Sequence, residues 1–196
     1  PKPSDADIRL LTLDDPISFS GKVCFLHDST DAGMYIGFFN KKDLMADLTN
    51  RTQKHKTAMS SLGILVEGGA RGGKQFMPEL TSCKDTFASR NGLQIRPTKE
   101  PHAFKVEYDP KANNNVGRIT ATLDEKTVTL DLTPELRAEG GVFDHFGITN
   151  LRAGGKFVEL FFDDLSYTAR RSGDYQPAFH KQEVTRVPYP PGGRKY

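Results

Sequence analysis

Apolar and polar residues alternate in short runs along most of the chain. In residues 102–108, apolar Phe104 and Val106 alternate with polar Lys105 and Glu107. Because successive side chains of a strand point to opposite faces, this pattern predicts a strand that is buried on one side only. Many other runs of this kind follow, separated by Gly, Pro, Asn and Asp clusters that are typical of turns.

The clearest hairpin joins residues 117–123 to residues 127–132. Ile119, Ala121 and Leu123 share one face of the first strand, and the connection is short and polar. A second hairpin flanks a glycine-rich turn, with Val142–Leu151 before it and Lys156–Tyr167 after it. The apolar residues of Lys156–Tyr167 occupy both faces. They indicate a strand that is covered on both sides or one that twists between environments.

About ten such strands and almost no helix predict an all-β protein, an antiparallel two-sheet β-sandwich of the jelly-roll type. The best helix candidate is Lys41–His55, where Leu44 and Leu48 have helical spacing. We expect an N-terminal arm at residues 1–9, the sandwich at residues 10–170, and a polar, proline-rich arm or linker at residues 171–196. The predicted core comprises Phe104, Val106, Ile119, Leu123, Leu130, Phe146, Leu160 and Phe162.

Charge and composition exclude several functions. The 196 residues carry 27 basic and 25 acidic side chains, a net charge of +2, and the basic residues are scattered, which argues against a nucleic-acid binder. No apolar run is long enough to span a membrane as a helix, and no signal peptide is visible, although Pro1-Lys2-Pro3 is typical of a trimmed mature end. A Cys24–Cys83 disulfide would fit an exported protein, and two separate buried thiols fit the sequence as well.

Several segments together resemble one family. They read IGFFN at residues 36–40, EYDPKANN at 107–114, RITATLDEKTVTLDL at 118–132, and FFDDLSYT at 161–168. The chain resembles the concanavalin A-like, laminin G-type jelly-roll domains of secreted bacterial proteins, often of planctomycete type. That resemblance covers roughly residues 10–168 and implies the jelly-roll fold. The E-x-D-x-x-E motif of laminarinase-like glycoside hydrolases on this fold is absent from the chain.

Adjacent carboxylates at Asp163 and Asp164 are candidate metal ligands. The resemblance extends to the last strand of many carbohydrate-binding modules, where an aspartate often holds a structural calcium ion. Calcium needs several oxygen ligands, so Asp28 and Asp31 are candidate partners from a loop. The alternative is that these aspartates bond to a nearby loop or to an arginine. We expect Asp163 or Asp164 to belong to a structural calcium site, because their charges adjoin an apolar strand.

Candidate sugar-binding residues flank the glycine-rich turn at residues 68–73. Glu67, Arg71 and Lys74 would bind hydroxyl or acidic groups, and Phe76 would offer an aromatic face. The chain has no Trp, so Tyr35 is a candidate stacking residue. The alternative is a solvated hairpin tip with a salt bridge.

A second group of candidates lies in the later hairpin. His145 is predicted to lie near Arg152, where an imidazole next to a cation would suit ligand binding or proton transfer. A packed or hydrogen-bonded strand histidine is the alternative. No CxxC, HExxH or P-loop motif is present, and we identify no complete catalytic constellation in the sequence.

These observations predict a non-catalytic polysaccharide-binding or adhesion module of a secreted or periplasmic protein. The first alternative is a polysaccharide-cleaving hydrolase or lyase on the same fold. The second is a structural or assembly domain that self-associates through its terminal arms. The expected partner is a polysaccharide or another glycan, and neither nucleic acid nor a membrane span is expected.

Overall fold

The computed structural model describes residues 10–27, 33–40, 60–67, 74–84, 86–90, 92–150 and 159–169. Strands dominate these residues, and two short helical segments accompany them. The strands are β1 Leu11–Thr12, β2 Ile17–His27, β3 Met34–Phe39, β4 Ser61–Glu67, β5 Lys74–Thr81, β6 Phe87–Ser89, β7 Leu93–Ile95, β8 Pro101–Asp109, β9 Arg118–Leu123, β10 Lys126–Asp131, β11 Val142–Phe143, β12 His145–Asn150 and β13 Glu159–Tyr167; the helical segments are α1 Ala112–Asn115 and α2 Pro134–Glu139.

Two antiparallel sheets form the sandwich. The five-stranded sheet has the order β10-β9-β8-β2-β13, and the six-stranded sheet has the order β12-β3-β4-β5-β6, with β7 also paired to β5. A small pair, β1 with β11, lies apart from both. The sequence predicts this all-β sandwich correctly. The hairpin predicted from Val142–Leu151 and Lys156–Tyr167 is wrong, because β12 pairs with β3 in one sheet and β13 pairs with β2 in the other.

The predicted hairpin from β9 to β10 forms with Leu123 opposite Lys126. Only Asp124 and Glu125 remain in the turn, and Asp124 has φ of 52°. Two-residue hairpin turns favour positive φ because their twist then matches that of the strands. The alternation of the two strands and the short polar connection between them together predicted this hairpin from the sequence.

Aromatic rings fill the space between the sheets. The ring of Phe19 in β2 lies 6.0 Å from Phe38, 6.1 Å from Phe104 and 5.3 Å from Phe146, measured between centroids. These separations are typical of favourable edge and tilted ring contacts. Of the predicted core residues, Phe104, Val106, Ile119, Leu123 and Leu130 are buried, and Phe146, Leu160 and Phe162 are partly buried and pack against that core.

The last strand, β13, forms an edge of the five-stranded sheet. It has apolar residues on both faces, one directed to the core and one to solvent. Phe162 lies opposite Val23 and packs inward. Phe161 lies opposite Cys24 and is 56% exposed. A bulge follows between Asp163 and Ser166, and it shifts the register. The outer face of this strand is therefore open to solvent.

Polar contacts fix the short helix α2 against the sandwich. Thr133 caps its start by accepting a hydrogen bond from Leu136 N at 3.3 Å. Arg137 donates to the Tyr108 hydroxyl at 2.8 Å and also to the Leu13 carbonyl. At the end of the helix, Ser82 donates to the Glu139 carboxylate at 2.5 Å.

Cys24 and Cys83 are both free thiols, so the disulfide is not formed. Cys83 is exposed in the turn after β5, not in a strand, and its sulfur lies 3.1 Å from the Ser60 hydroxyl oxygen. The helix predicted at 41–55 and both terminal arms lie outside the described residues. The described part of the chain contains no helix long and apolar enough to cross a membrane.

Candidate functional site

The six-stranded sheet has an outer face, directed away from the other sheet, that is unusually buried. Alternate residues of β3 and β4, such as Ile36 and Ile64, point inward and belong to the core. Their neighbours Tyr35, Phe39 and Leu65 therefore point outward, yet their exposed fractions are only 2%, 8% and 8%. Both faces of the central strands are covered, which explains the uninterrupted apolar run LGILV in β4.

A row of glycines crosses this outer face. Gly147 of β12, Gly37 of β3 and Gly63 of β4 lie opposite one another in register, and Glu79 of β5 continues the row. The Tyr35 side chain lies over the two central glycines. A Cβ atom added at Gly63 would be 2.7 Å from the Tyr35 hydroxyl oxygen, so the position requires glycine.

Tyr35, Glu79 and Ser61 form a buried polar cluster on this face. Burial raises the pKa of the Tyr35 phenol well above its usual range, the Glu79 carboxylate raises it further, and the Ser61 hydroxyl opposes the rise. The phenol donates a hydrogen bond to the Phe38 carbonyl at 3.1 Å. Ser61 Oγ makes no hydrogen bond of standard geometry to a described residue, so it is a neighbour of the phenol and not a bonded partner.

One end of the same face is accessible to solvent and polar. Glu67 of β4 lies opposite Gln75 of β5, which lies opposite Gln94 of β7, and all three are half-buried or exposed. The Gln75 carbonyl oxygen accepts a hydrogen bond from Gly92 N at 3.2 Å, which leaves its amide nitrogen as a donor. Leu65 and Met77 form the next row of the face. A polar row therefore borders an apolar row.

His145 lies at the opposite end of the face. Its ring stacks on Phe39 at 6.0 Å with an interplanar angle of 24°. Its Nδ1 atom lies 2.8 Å from an Asp144 carboxylate oxygen, and the side chain is 45% exposed. Tyr35 lies opposite Thr149, four residues along β12 from His145. The two positions are therefore about 13 Å apart along the strand direction.

The structure brings three of the predicted ligand residues to one face and separates two others. Tyr35, Glu67 and His145 share the outer face of the six-stranded sheet. Phe76 points into the core, 5.7 Å from the Phe104 ring and fully buried, so it cannot offer a stacking surface to a sugar. Lys74 has the same inward parity as Phe76 and is 1% exposed. Arg71 and Arg152 lie outside the described residues.

The sequence interpretation missed Glu79, Ser61 and the glycine row. Their signal was the combination of Gly37 and Gly63 within two strands that are otherwise apolar on both faces, since glycine inside a strand marks a close approach. The pairing of these two glycines depends on the strand register. That register is not visible in a single sequence.

Asp163 and Asp164 by themselves do not form a calcium site. Both are exposed, the Asp163 carboxylate accepts a hydrogen bond from Asp164 N at 2.8 Å, and the Asp164 carboxylate lies 2.8 Å from Lys22 Nζ. Calcium requires six to eight oxygen ligands, and no group of three or more metal-ligating side chains occurs in the described residues. Asp28 and Asp31 lie outside those residues, so a calcium site that includes them stays a prediction.

The fold defines the class of protein: an all-β, antiparallel sandwich of the jelly-roll type. Among solved structures, the chain is similar to the carbohydrate recognition domain of Emp47p, with a TM-score of 0.52 and 15% identity over 83% of this chain and 75% of that one. It is also similar to an alginate lyase from Pseudomonas aeruginosa, with a TM-score of 0.50 and 11% identity over 81% of this chain and 66% of that one. These likenesses show the fold.

No family model and no curated protein matches the chain.

Proposed function

We propose that the protein is a non-catalytic module that binds a polysaccharide at the accessible end of the outer face of the six-stranded sheet. The observation that carries this proposal is the polar row of Glu67, Gln75 and Gln94, which borders the partly exposed Met77. A sugar ring has hydroxyl groups at its edge and C–H groups on its faces. Carboxylate and amide groups next to an apolar side chain therefore complement both parts of the ring.

The fold gives the proposal context. Proteins of the same architecture include one described as a carbohydrate recognition domain and one described as an alginate lyase. The sequence resemblance to laminin G-type domains of secreted bacterial proteins points the same way. We place the protein in an exported compartment, where polysaccharide ligands occur.

Affinity electrophoresis and calorimetry with soluble neutral and anionic polysaccharides test the proposal. We expect Glu67→Ala and Gln75→Ala each to weaken binding by about tenfold, since each removes hydrogen bonds to the ligand. Glu125→Ala is the matched control, because Glu125 is an exposed residue in the turn between β9 and β10 of the other sheet. Unchanged affinity in both site variants would refute this location, and no binding by the wild-type protein would refute the function.

Cleavage of the polysaccharide is the second candidate function, because the same architecture occurs in a protein described as an alginate lyase. The Tyr35 and Glu79 side chains are only 2% and 3% exposed, so this pair belongs to the packed part of the face and is assigned no contact with a substrate. Incubation with polysaccharides decides the matter: new reducing ends or the ultraviolet absorbance of unsaturated products would establish an enzyme.

A further inference from the structure

The outer face of the five-stranded sheet carries two rows of hydroxyl side chains. In the first row, Thr127, Thr122, Ser20 and Ser166 lie across four strands, with Lys105 of β8 between Thr122 and Ser20. The hydroxyl groups of Thr122 and Thr127 are 3.2 Å apart. Register therefore places two pairs of hydroxyl side chains, Thr127 with Thr122 and Ser20 with Ser166, on neighbouring strands about 4.8 Å apart.

The second row runs parallel to the first. Thr129, Thr120 and Ser18 lie across three strands, with Glu107 of β8 between Thr120 and Ser18. The two rows are separated by two residues along each strand, about 6.8 Å. Thr168 ends this row, and its hydroxyl group hydrogen bonds to Ser18 at 3.2 Å.

Charge on this face is neutralised within the face. Lys105 and Glu107 are the charged members of the two rows, and their ends meet at 2.7 Å. At the margins, Lys22 pairs with Asp164, and Arg118 pairs with Asp131. These pairs tie the long side chains to one another, and the other members of the two rows are short hydroxyl side chains. Such a surface does not attract a strongly charged partner.

We propose that this face is a second binding surface, which contacts the surface of an insoluble, neutral polysaccharide. A hydroxyl group both donates and accepts hydrogen bonds, so a regular array of hydroxyls complements a ligand that presents hydroxyls in every direction. A solid polysaccharide contacts many such groups at once. The surface lies on the opposite sheet from the Glu67 site and does not depend on it.

The test uses depletion of the full chain from solution by microcrystalline cellulose and by chitin, both neutral solids. The variant that replaces Thr120, Thr122, Thr127 and Thr129 by Val removes the hydroxyls and keeps the β-branched shape that strands favour. We expect its adsorption to weaken by about tenfold or more, because several hydrogen bonds are lost together. The matched variant with Ser at the same four positions keeps the hydroxyls and should retain adsorption.

The outcomes separate this surface from the first one. Glu67→Ala should adsorb to the solids like the wild type while it loses binding to soluble polysaccharide. Failure of the wild type to adsorb to either solid would overturn the inference. Equal adsorption by the Val variant and the wild type would overturn it as well. If the Val variant does not fold, Thr122→Val with Thr127→Val replaces it, with an expected loss of about threefold.

Discussion

At the scale of single residues, Tyr108 connects three parts of the chain. Its hydroxyl group donates to the Leu13 carbonyl at 2.9 Å and accepts from Arg137 at 2.8 Å. Burial raises the pKa of Tyr108 to about 12, although Arg137 opposes the rise. The protonated phenol is therefore part of the folded state.

This pKa predicts a loss of stability at alkaline pH. The unfolded phenol titrates near pH 10, so the contribution is complete below about pH 10 and is lost as pH rises through about 12. Tyr108→Phe should flatten that part of the stability profile and cost about 1 kcal/mol at neutral pH for the lost hydrogen bonds. Urea denaturation at a series of pH values measures both effects.

The control for this experiment is Tyr167→Phe, which removes an exposed hydroxyl and keeps the ring that stacks on Phe146. Its stability profile should follow that of the wild type. A Tyr108→Phe protein with an unchanged alkaline decline would contradict the assignment.

The glycine row gives a second prediction at this scale. A Cβ atom at Gly63 would lie 2.3 Å from the Ile36 carbonyl oxygen and 2.7 Å from the Tyr35 hydroxyl oxygen, so backbone or ring must move. We expect Gly63→Ala to destabilise the fold by about 3 kcal/mol. At Gly147 the nearest atom would be 3.5 Å away, and Gly147→Ala should change stability by less than about 1 kcal/mol. Equal costs for the two variants, measured by denaturation, would show that the row is not tightly packed.

At the scale of strands and hairpins, alternation predicted much of the fold. The β9–β10 hairpin follows from its period of two and its short polar turn. The assignment of Leu160 and Phe162 to the core face of β13 is confirmed, although alternation by itself does not distinguish Phe161 from Phe162. Only the pairing with β2, which places Phe161 opposite Cys24, shows which ring faces solvent. The candidate site was less predictable for the same reason: it depends on a register shared by strands that are far apart in the chain.

Two substitutions compare a core ring of β8 with the solvent-facing ring of β13. Phe104→Ala removes a ring that is 3% exposed in the core and should cost about 3–5 kcal/mol. Phe161→Ala removes a ring from an exposed face and should cost less than about 1 kcal/mol. A large loss at Phe161, measured by chemical denaturation, would mean that another part of the chain covers it.

The aspartate pair also has an explanation at this scale. Asp163 and Asp164 lie at the bulge of an edge strand, and Asp164 has φ of 51°. Bulges and charges on an edge strand prevent its free hydrogen-bonding groups from pairing with another molecule. Exposure and Lys22 satisfy the charges, so the burial argument for a cation no longer applies to these two residues.

At the scale of the whole molecule, the proposal of a structural calcium ion is still open to a direct test. A site completed by Asp28 and Asp31 would raise the melting midpoint in calcium relative to chelator, by mass action on the folded state. Asp163→Asn should abolish that difference, and Asp131→Asn, whose carboxylate pairs with Arg118, should not. Equal midpoints for the wild type with calcium and with chelator would remove the metal from the protein.

The strand order also governs when the fold can be completed. Strand β2 near the start of the chain pairs with β13, whose last residue is Tyr167. A nascent chain that has emerged only as far as β12 leaves one edge of β2 unpaired, with apolar residues beside it. Contacts so distant in sequence form slowly and late. We therefore expect the five-stranded sheet to close only after synthesis of the described region is complete, and a chaperone to encounter the protein with that edge open.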